Sequence, residues 1–189
     1  MASIEYDLGY LNEGLASLER YLLSEDIYWN MRVPSPPGEP AYPLLSLGGL
    51  LLSKARLEAR QLSMEQSGKL SQLETGIEVN RDHWRAAWMN KAEREFTARL
   101  RLWRDFIEEY RQNPAANIDR YTYEVNRRVM LHFLRAEANQ ISEQEQEMLA
   151  GLDKILSAVL IPGEFIWDKE LQNGFHPQTF PYLYGTLKV

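Results

Sequence analysis

The stretch that decides the fold is Ser63-MEQSGKLSQLETGIEVNRDHWRAAWMNKAEREFTARLRLWRDFIEE-Tyr110. One series of its apolar residues is Leu70, Leu73, Ile77, Trp84, Trp88, Ala92, Phe96, Leu100, Trp103, Ile107 and Tyr110. They follow one another by threes and fours, apart from one step of seven across Asn80 and Arg81. Such spacing lines one face of an α-helix. Ser63 with Gln66 has the form of a capping box, in which each side chain satisfies a backbone N–H that the first turn leaves free. Asn113-Pro114 ends the run, because a residue before proline is pushed out of the α region. A single helix over 63–112 is expected, roughly 70 Å long at 1.5 Å per residue. Gly68 and Gly76 weaken it, since glycine costs about 1 kcal/mol relative to alanine inside a helix. Thr75 and Glu78 offer a second capping box, so any break is expected near Gly76.

Working outward, Ile4, Leu8, Leu11, Leu15, Leu18 and Leu22 alternate steps of four and three. That seam predicts a helix over about 4–23 packed lengthwise on another. Leu44, Leu47, Leu51, Ala55, Ala59 and Leu62 predict a second over 44–62, in which Gly48 and Gly49 allow a neighbour to come close. Beyond Pro114, Asp119 is the expected N-cap of a helix over 119–141 carrying Tyr121, Val125, Val129 and Phe133 on one face. Ser142 with Glu145 opens another over 143–160, ended by Pro162-Gly163. Residues 161–189 have no helical period and are rich in Phe165, Trp167, Phe175, Phe180, Tyr182 and Tyr184. They are expected to lie extended on the helices and bury those rings. The expected architecture is therefore all-α: one domain over 1–189, a bundle built on one very long central helix, with an aromatic tail.

Composition sets the outer limits. The chain has 189 residues, enough for one core, with 44% hydrophobic and 25% charged residues. A net charge of −6 gives no general attraction to nucleic acid or anionic lipid. With no cysteine there is no disulfide, no thiolate metal site and no thiol nucleophile. Met1–Tyr10 carries acids and no basic residue, which argues against a signal peptide, and the uncharged run Leu44–Leu52 is too short to span a bilayer. A cytoplasmic location is expected, with no membrane partner.

Catalytic patterns are few. No Glu has a His three residues on, as di-iron bundles require. The three histidines, His83, His132 and His176, lie in separate segments. In a hairpin turning near Pro114, His132 falls opposite Thr97, about 20 Å along the axis from His83. No Gly-x-Ser-x-Gly elbow and no phosphate-binding glycine loop is present. No catalytic residue, metal ligand or cofactor is expected.

Two features remain. One is a basic half, with Arg85, Arg94 and Arg99 on the long helix and Arg127 and Arg128 on the facing one, interleaved with Trp84, Trp88, Trp103, Tyr121 and Tyr123. Arginine beside aromatic residues suits an anionic ligand or RNA. It equally suits arginines paired along a helix, as Glu95 with Arg99 and Glu124 with Arg128 at i,i+4. Glu95 and Arg99 lie close to the apolar face, so they need partners, with Arg127 or Arg135 the candidates across the hairpin. The other is the connector, where Pro34, Pro37, Pro40 and Pro43 recur every third residue. Polyproline II has three residues per turn, so the four would form one ridge, either a stiff strap along the bundle or a surface that SH3-like domains bind.

The function expected first is a non-enzymatic scaffold or protein-interaction module. Its partner is a second copy or another protein, because a helix of that length is hard to cover from one short chain. The alternative is an anion- or RNA-binding helical protein using the arginine half.

Overall fold

The computed structural model describes residues 3–188. It is mostly helical, with one small two-stranded sheet. The helices are α1 (Ile4–Leu23), α2 (Leu47–Ala59), α3 (Met64–His83), α4 (Arg85–Gln112), α5 (Pro114–Asn117), α6 (Tyr121–Glu137) and α7 (Glu143–Val159).

The single long helix is not there. Its course is divided at Trp84, between α3 and α4, and the longest helix is α4 with 28 residues. Trp84 has φ −107° and ψ 34°, near the bridge region rather than the helical one. Its N–H still reaches Asn80 O at 2.8 Å and its carbonyl still accepts from Trp88 N at 2.9 Å, so the chain bends without a loop. The break comes where the apolar spacing lapses, in the turn after Ile77. There the Asn80 side chain donates to Gly76 O at 2.9 Å, competing with the helix ladder. The two halves also pack differently: α3 lies mainly on α1, and α4 mainly on α6. Gly76, where the break was expected, stays helical. A Cβ there would meet Leu15 Cδ2 at 2.6 Å, so this glycine admits the close crossing of α1.

Two of the three capping boxes form, at Ser63/Gln66 and Ser142/Glu145; Thr75 lies inside α3 and donates its hydroxyl to Ser71 O at 2.9 Å instead. Proline 114 does more than stop α4. It occupies the first turn of the short α5, where its missing N–H costs nothing, and Asn113 Oδ1 accepts from Ala116 N at 3.3 Å. Asp119 is not a cap. It sits in a 3-10 turn, Ile118–Arg120, that runs directly into α6.

α4 and α6 form the central hairpin. Trp88, Ala92, Phe96, Leu100, Trp103, Phe106, Ile107 and Tyr110 of α4 are buried, facing a continuous interior that includes Tyr121, Val125, Val129 and Leu134 of α6. Rings of Trp103 and Phe106 stack at 5.5 Å, and those of Phe106 and Tyr121 at 6.4 Å. α2 lies across α1 and α6. The apolar stripe of α3, Leu70, Leu73 and Ile77, is buried too, so the interior is covered by the chain itself.

The tail is not simply extended. β1 (Leu160–Phe165) pairs antiparallel with β2 (Tyr184–Leu187), with the register Leu160↔Leu187, Ile161↔Thr186 and Pro162↔Gly185. Gly185, at φ +144°, sits where a Cβ would be 2.2 Å from Ile161 O, so only glycine lets the strands close there. Between the strands, Trp167, Phe175, Phe180 and Tyr182 are buried ring against ring.

Candidate functional site: the basic half and the proline loop

The basic residues of α4 have local work to do. Lys91 is 1% exposed. Its ammonium donates to Ser24 O at 2.7 Å, to Asp26 O at 2.5 Å and to Ser24 Oγ at 3.2 Å, at the C-terminal end of α1. It also lies 4.7 Å above the Tyr21 ring. Arg94 reaches the same place and donates to Glu25 O at 2.7 Å. A helix leaves its last carbonyls without partners and carries partial negative charge at that end, which cations neutralise.

One turn on, the sign reverses. Glu95 is fully buried, and both of its carboxylate oxygens accept from Gly48 N at 3.1 Å. Gly48 lies in the first turn of α2, where N–H groups are free and the helix dipole is positive, so a carboxylate belongs there. Arg99 completes the arrangement, donating to Glu95 at 2.5 Å and to Ser46 Oγ at 2.9 Å. Burial drives the Arg99 pKa down and Glu95 overrides it, leaving it raised. Arg127 and Arg135, the candidate partners across the hairpin, bond elsewhere: Arg127 to Glu124, and Arg135 to Gln146 at 3.1 Å. The backbone of α2 supplies what they were expected to give. A Cβ on Gly48 would meet Glu95 Oε1 at 2.7 Å, which is why glycine stands there.

Arg128 does not pair with Glu124 either. It grips Asp153 of α7 with two bonds, 2.8 and 2.9 Å, and lies 4.6 Å over the Tyr182 ring. Arg85 is exposed and lines a groove of about 410 Å³ beside the Trp84 bend, with Arg81, Asp82, Trp88 and Glu137 among its neighbours. The five sequence-derived arginines are therefore not one cluster. Arg94, Arg99, Arg127 and Arg128 hold four different contacts, and Arg85 stands at the bend. His132 makes ring contact with Phe180 at 4.9 Å, and His83 with Trp84 at 4.7 Å.

The connector is a loop closed at its base. Trp29 and Leu45 form an isolated antiparallel bridge, with N–H···O bonds of 2.9 and 2.8 Å. Its ends thus meet, as in an Ω-loop. Pro34, Pro37, Pro40 and Pro43 are all exposed. They do not form one unbroken ridge. Glu39 N donates to Pro36 O at 3.1 Å and Gly38 has φ +86°, so a β-turn through Pro37-Gly38 separates Pro34 from Pro40 and Pro43.

Side chains of α1 hold this loop. Tyr6 and Tyr10, one turn apart on α1, donate their hydroxyls to Ala41 O and Leu44 O, both at 3.2 Å. The Tyr42 ring lies 4.9 Å from Tyr6 and 5.8 Å from Tyr10. Gly9 makes room for it, since a Cβ there would be 2.1 Å from the Tyr42 hydroxyl. The signal available in the sequence was Tyr6-x-x-Gly9-Tyr10, two hydroxyls and a gap on one helical face.

A second groove, about 510 Å³, lies between the start of α6 and the sheet, lined by Ile118, Tyr121, Ile161, Ile166 and Leu187 among others. Among the described residues no group of three His, Asp or Glu side chains is placed to hold a metal ion, and no helix is long and apolar enough to cross a membrane. No protein-family model, curated protein or solved structure matches the chain.

Proposed function

We propose that this chain is a non-enzymatic, cytoplasmic protein-interaction module, a small helical platform that presents the proline loop to another protein. The observation that carries the reading is the contrast between the two sides of that loop. Its four spaced prolines face solvent, while its underside is tied to α1 through Tyr6, Tyr10 and Tyr42. A loop already ordered loses little entropy on binding, so its contacts count more fully toward affinity. Binding residues also concentrate on loops held by a rigid scaffold.

The reading favours a different protein over a second copy. Self-association was expected from uncovered apolar surface, and the stripes of α3 and α4 are buried within the chain. An anionic ligand on the arginine half has less support, because four of its five arginines already carry bonds to acids, carbonyls or hydroxyls of the same chain.

The test is affinity capture with cross-linking, comparing the intact protein with a variant in which Pro34, Pro37, Pro40 and Pro43 are all alanine. The same partner should be retained by the first and lost by the second. Equal capture by both, or none by either, rejects the reading. Native mass spectrometry of the purified protein separates a second copy from a foreign partner.

A further inference from the structure

Exposure along Pro40-Ala41-Tyr42-Pro43-Leu44-Leu45 follows a period of three. Pro40 and Ala41 are exposed, Tyr42 is half-buried, Pro43 and Leu44 are exposed, and Leu45 is buried. A strand would alternate by two and a helix would spread its buried positions by three and four. A period of three is that of polyproline II, a left-handed helix with three faces. Here the Tyr42/Leu45 face is turned inward, and the Pro40/Pro43 and Ala41/Leu44 faces are outward. Leu44, 50% exposed, is among the most exposed large apolar residues described. The arm before the turn shows no such period: Val33, Ser35 and Pro36 are all half-buried there.

The inward face is held by groups that hold polyproline in binding grooves: aromatic rings with hydroxyls that donate to its carbonyls. Tyr6 and Tyr10 take the carbonyls of Ala41 and Leu44 from one side. The carbonyl of Leu45 and its N–H are used by Trp29. Four hydrogen bonds thus fix the segment, all through its backbone, which leaves the side chains of Pro40, Ala41, Pro43 and Leu44 exposed. The surroundings are acidic. Glu39 immediately precedes Pro40, and Glu13 lies about one turn beyond Tyr10 on α1; consistent with that placement, burial first and then the carboxylates of Glu13, Asp7 and Glu39 push the Tyr42 hydroxyl up. Asp7 is neutralised by Arg56 and Arg60, which leaves Glu13 and Glu39 as the charges flanking the ridge.

We infer that Pro40–Leu45 is a preformed polyproline II ligand, and that its outward faces dock into an aromatic-lined groove of a partner domain whose rim is cationic. The inference rests on the interaction reading above and narrows it to one arm of the loop and one class of partner. Proline-bearing segments of this geometry are read by SH3, WW and EVH1 domains, which gain from a helix that needs no ordering. The flanking Glu13 and Glu39 select, among such grooves, those edged by lysine or arginine, and make association sensitive to salt.

The experiment measures binding of the intact protein to purified SH3, WW and EVH1 domains, chosen to include grooves with basic and with acidic rims. At least one basic-rimmed domain should bind, more weakly as salt rises. Pro43→Ala and Leu44→Ser should each weaken it by about tenfold, the effect of removing a contact worth about 1.4 kcal/mol. Pro34→Ala should change it less than about twofold, and Glu39→Gln should reduce its salt dependence. Thermal unfolding of each variant checks that the bundle is intact. Leu44→Ser acts at a half-exposed side chain and covers the case in which Pro43→Ala disturbs the loop. If no domain binds, or if Pro34→Ala weakens binding as much as Pro43→Ala, the inference is overturned. If capture in the earlier experiment depends on the loop while no proline-reading domain binds, the interaction reading survives and this inference falls; if both fail, both fall.

Discussion

Lys91 and Glu95 stand one turn apart on α4 and close opposite ends of two other helices. The Lys91 ammonium meets the carbonyls after α1, and the Glu95 carboxylate meets the Gly48 N–H in the first turn of α2. One short stretch of α4 therefore presents positive charge to a negative helix end and negative charge to a positive one. The buried charges of this protein are used to align helices.

Replacing Glu95 with glutamine should destabilise the protein by about 3–5 kcal/mol, the usual cost of leaving one member of a buried pair uncompensated. Arg99 would lose its counter-charge, keeping only neutral acceptors, Ser46 Oγ and the amide oxygen of the new glutamine. Replacing both Glu95 and Arg99 with apolar residues of similar size should cost less than Glu95→Gln alone. Urea unfolding of the single and double variants measures this, and a double variant weaker than either single one would refute the alignment argument.

Two glycine-to-alanine changes should move stability in opposite directions. At Gly48 the added methyl would press on Glu95 Oε1 and Arg99 Nε, at 2.7 and 3.1 Å. Gly68 lies inside α3 with nothing within 4 Å. Gly68→Ala should stabilise by about 0.5–1 kcal/mol through the unfolded chain's lost freedom, while Gly48→Ala should destabilise. Thermal midpoints of the two variants give the signs directly.

Acid should reach the fold through His132. The residue is exposed, but its ring lies against Phe133 and Phe180, and that partial desolvation lowers its pKa; Arg128 and Arg135 lower it further. The folded protein therefore favours neutral imidazole more than the unfolded chain does. That contribution is complete above the ordinary histidine value of about 6.5 and is lost as pH falls from there through the lowered folded value. In His132→Gln the loss of stability between pH 7.5 and pH 5 should be smaller than in the parent. Urea midpoints at the two pH values report the difference, and an unchanged slope would assign the acid sensitivity elsewhere.

Arg128→Lys should loosen the tail. Lysine cannot make the paired bonds of 2.8 and 2.9 Å to Asp153, nor lie flat over Tyr182. A cost of about 1–2 kcal/mol is expected, with earlier proteolytic cleavage around 165–180 than in the parent. Cleavage times that match the parent would show that the rings alone hold the tail.

Much of the helical pattern was legible because apolar period and capping chemistry are local. Ser63/Gln66 and Ser142/Glu145 open their helices as their spacing implies. The bend at Trp84 was written in the seven-residue lapse after Ile77, yet the glycine at 76 drew attention away from it. The glycine's meaning was tertiary, a place for Leu15, and no local rule reveals that. The same holds for the charges. Glu95 beside Arg99 reads as an i,i+4 pair, but its second partner is the backbone of a helix nearly fifty residues earlier. The pairing of residues 160–165 with 184–187 leaves little trace in the sequence, because the strands are short and far apart, and Pro162 interrupts the first. The proline spacing was visible, whereas the turn at Pro37-Gly38 that divides it was equally local and was outweighed by the regular period.

The bridge between Trp29 and Leu45 has a last consequence. Because the two ends of the loop are joined to each other, the route taken between them is a detour, and the strands of chain entering and leaving it keep their places whatever its length. Residues 30 to 39 are free to change in length and content, while Ala41, Tyr42 and Leu44 stay seated on α1 through Tyr6 and Tyr10. Selection can reshape the first arm of the loop around a second arm that keeps its place.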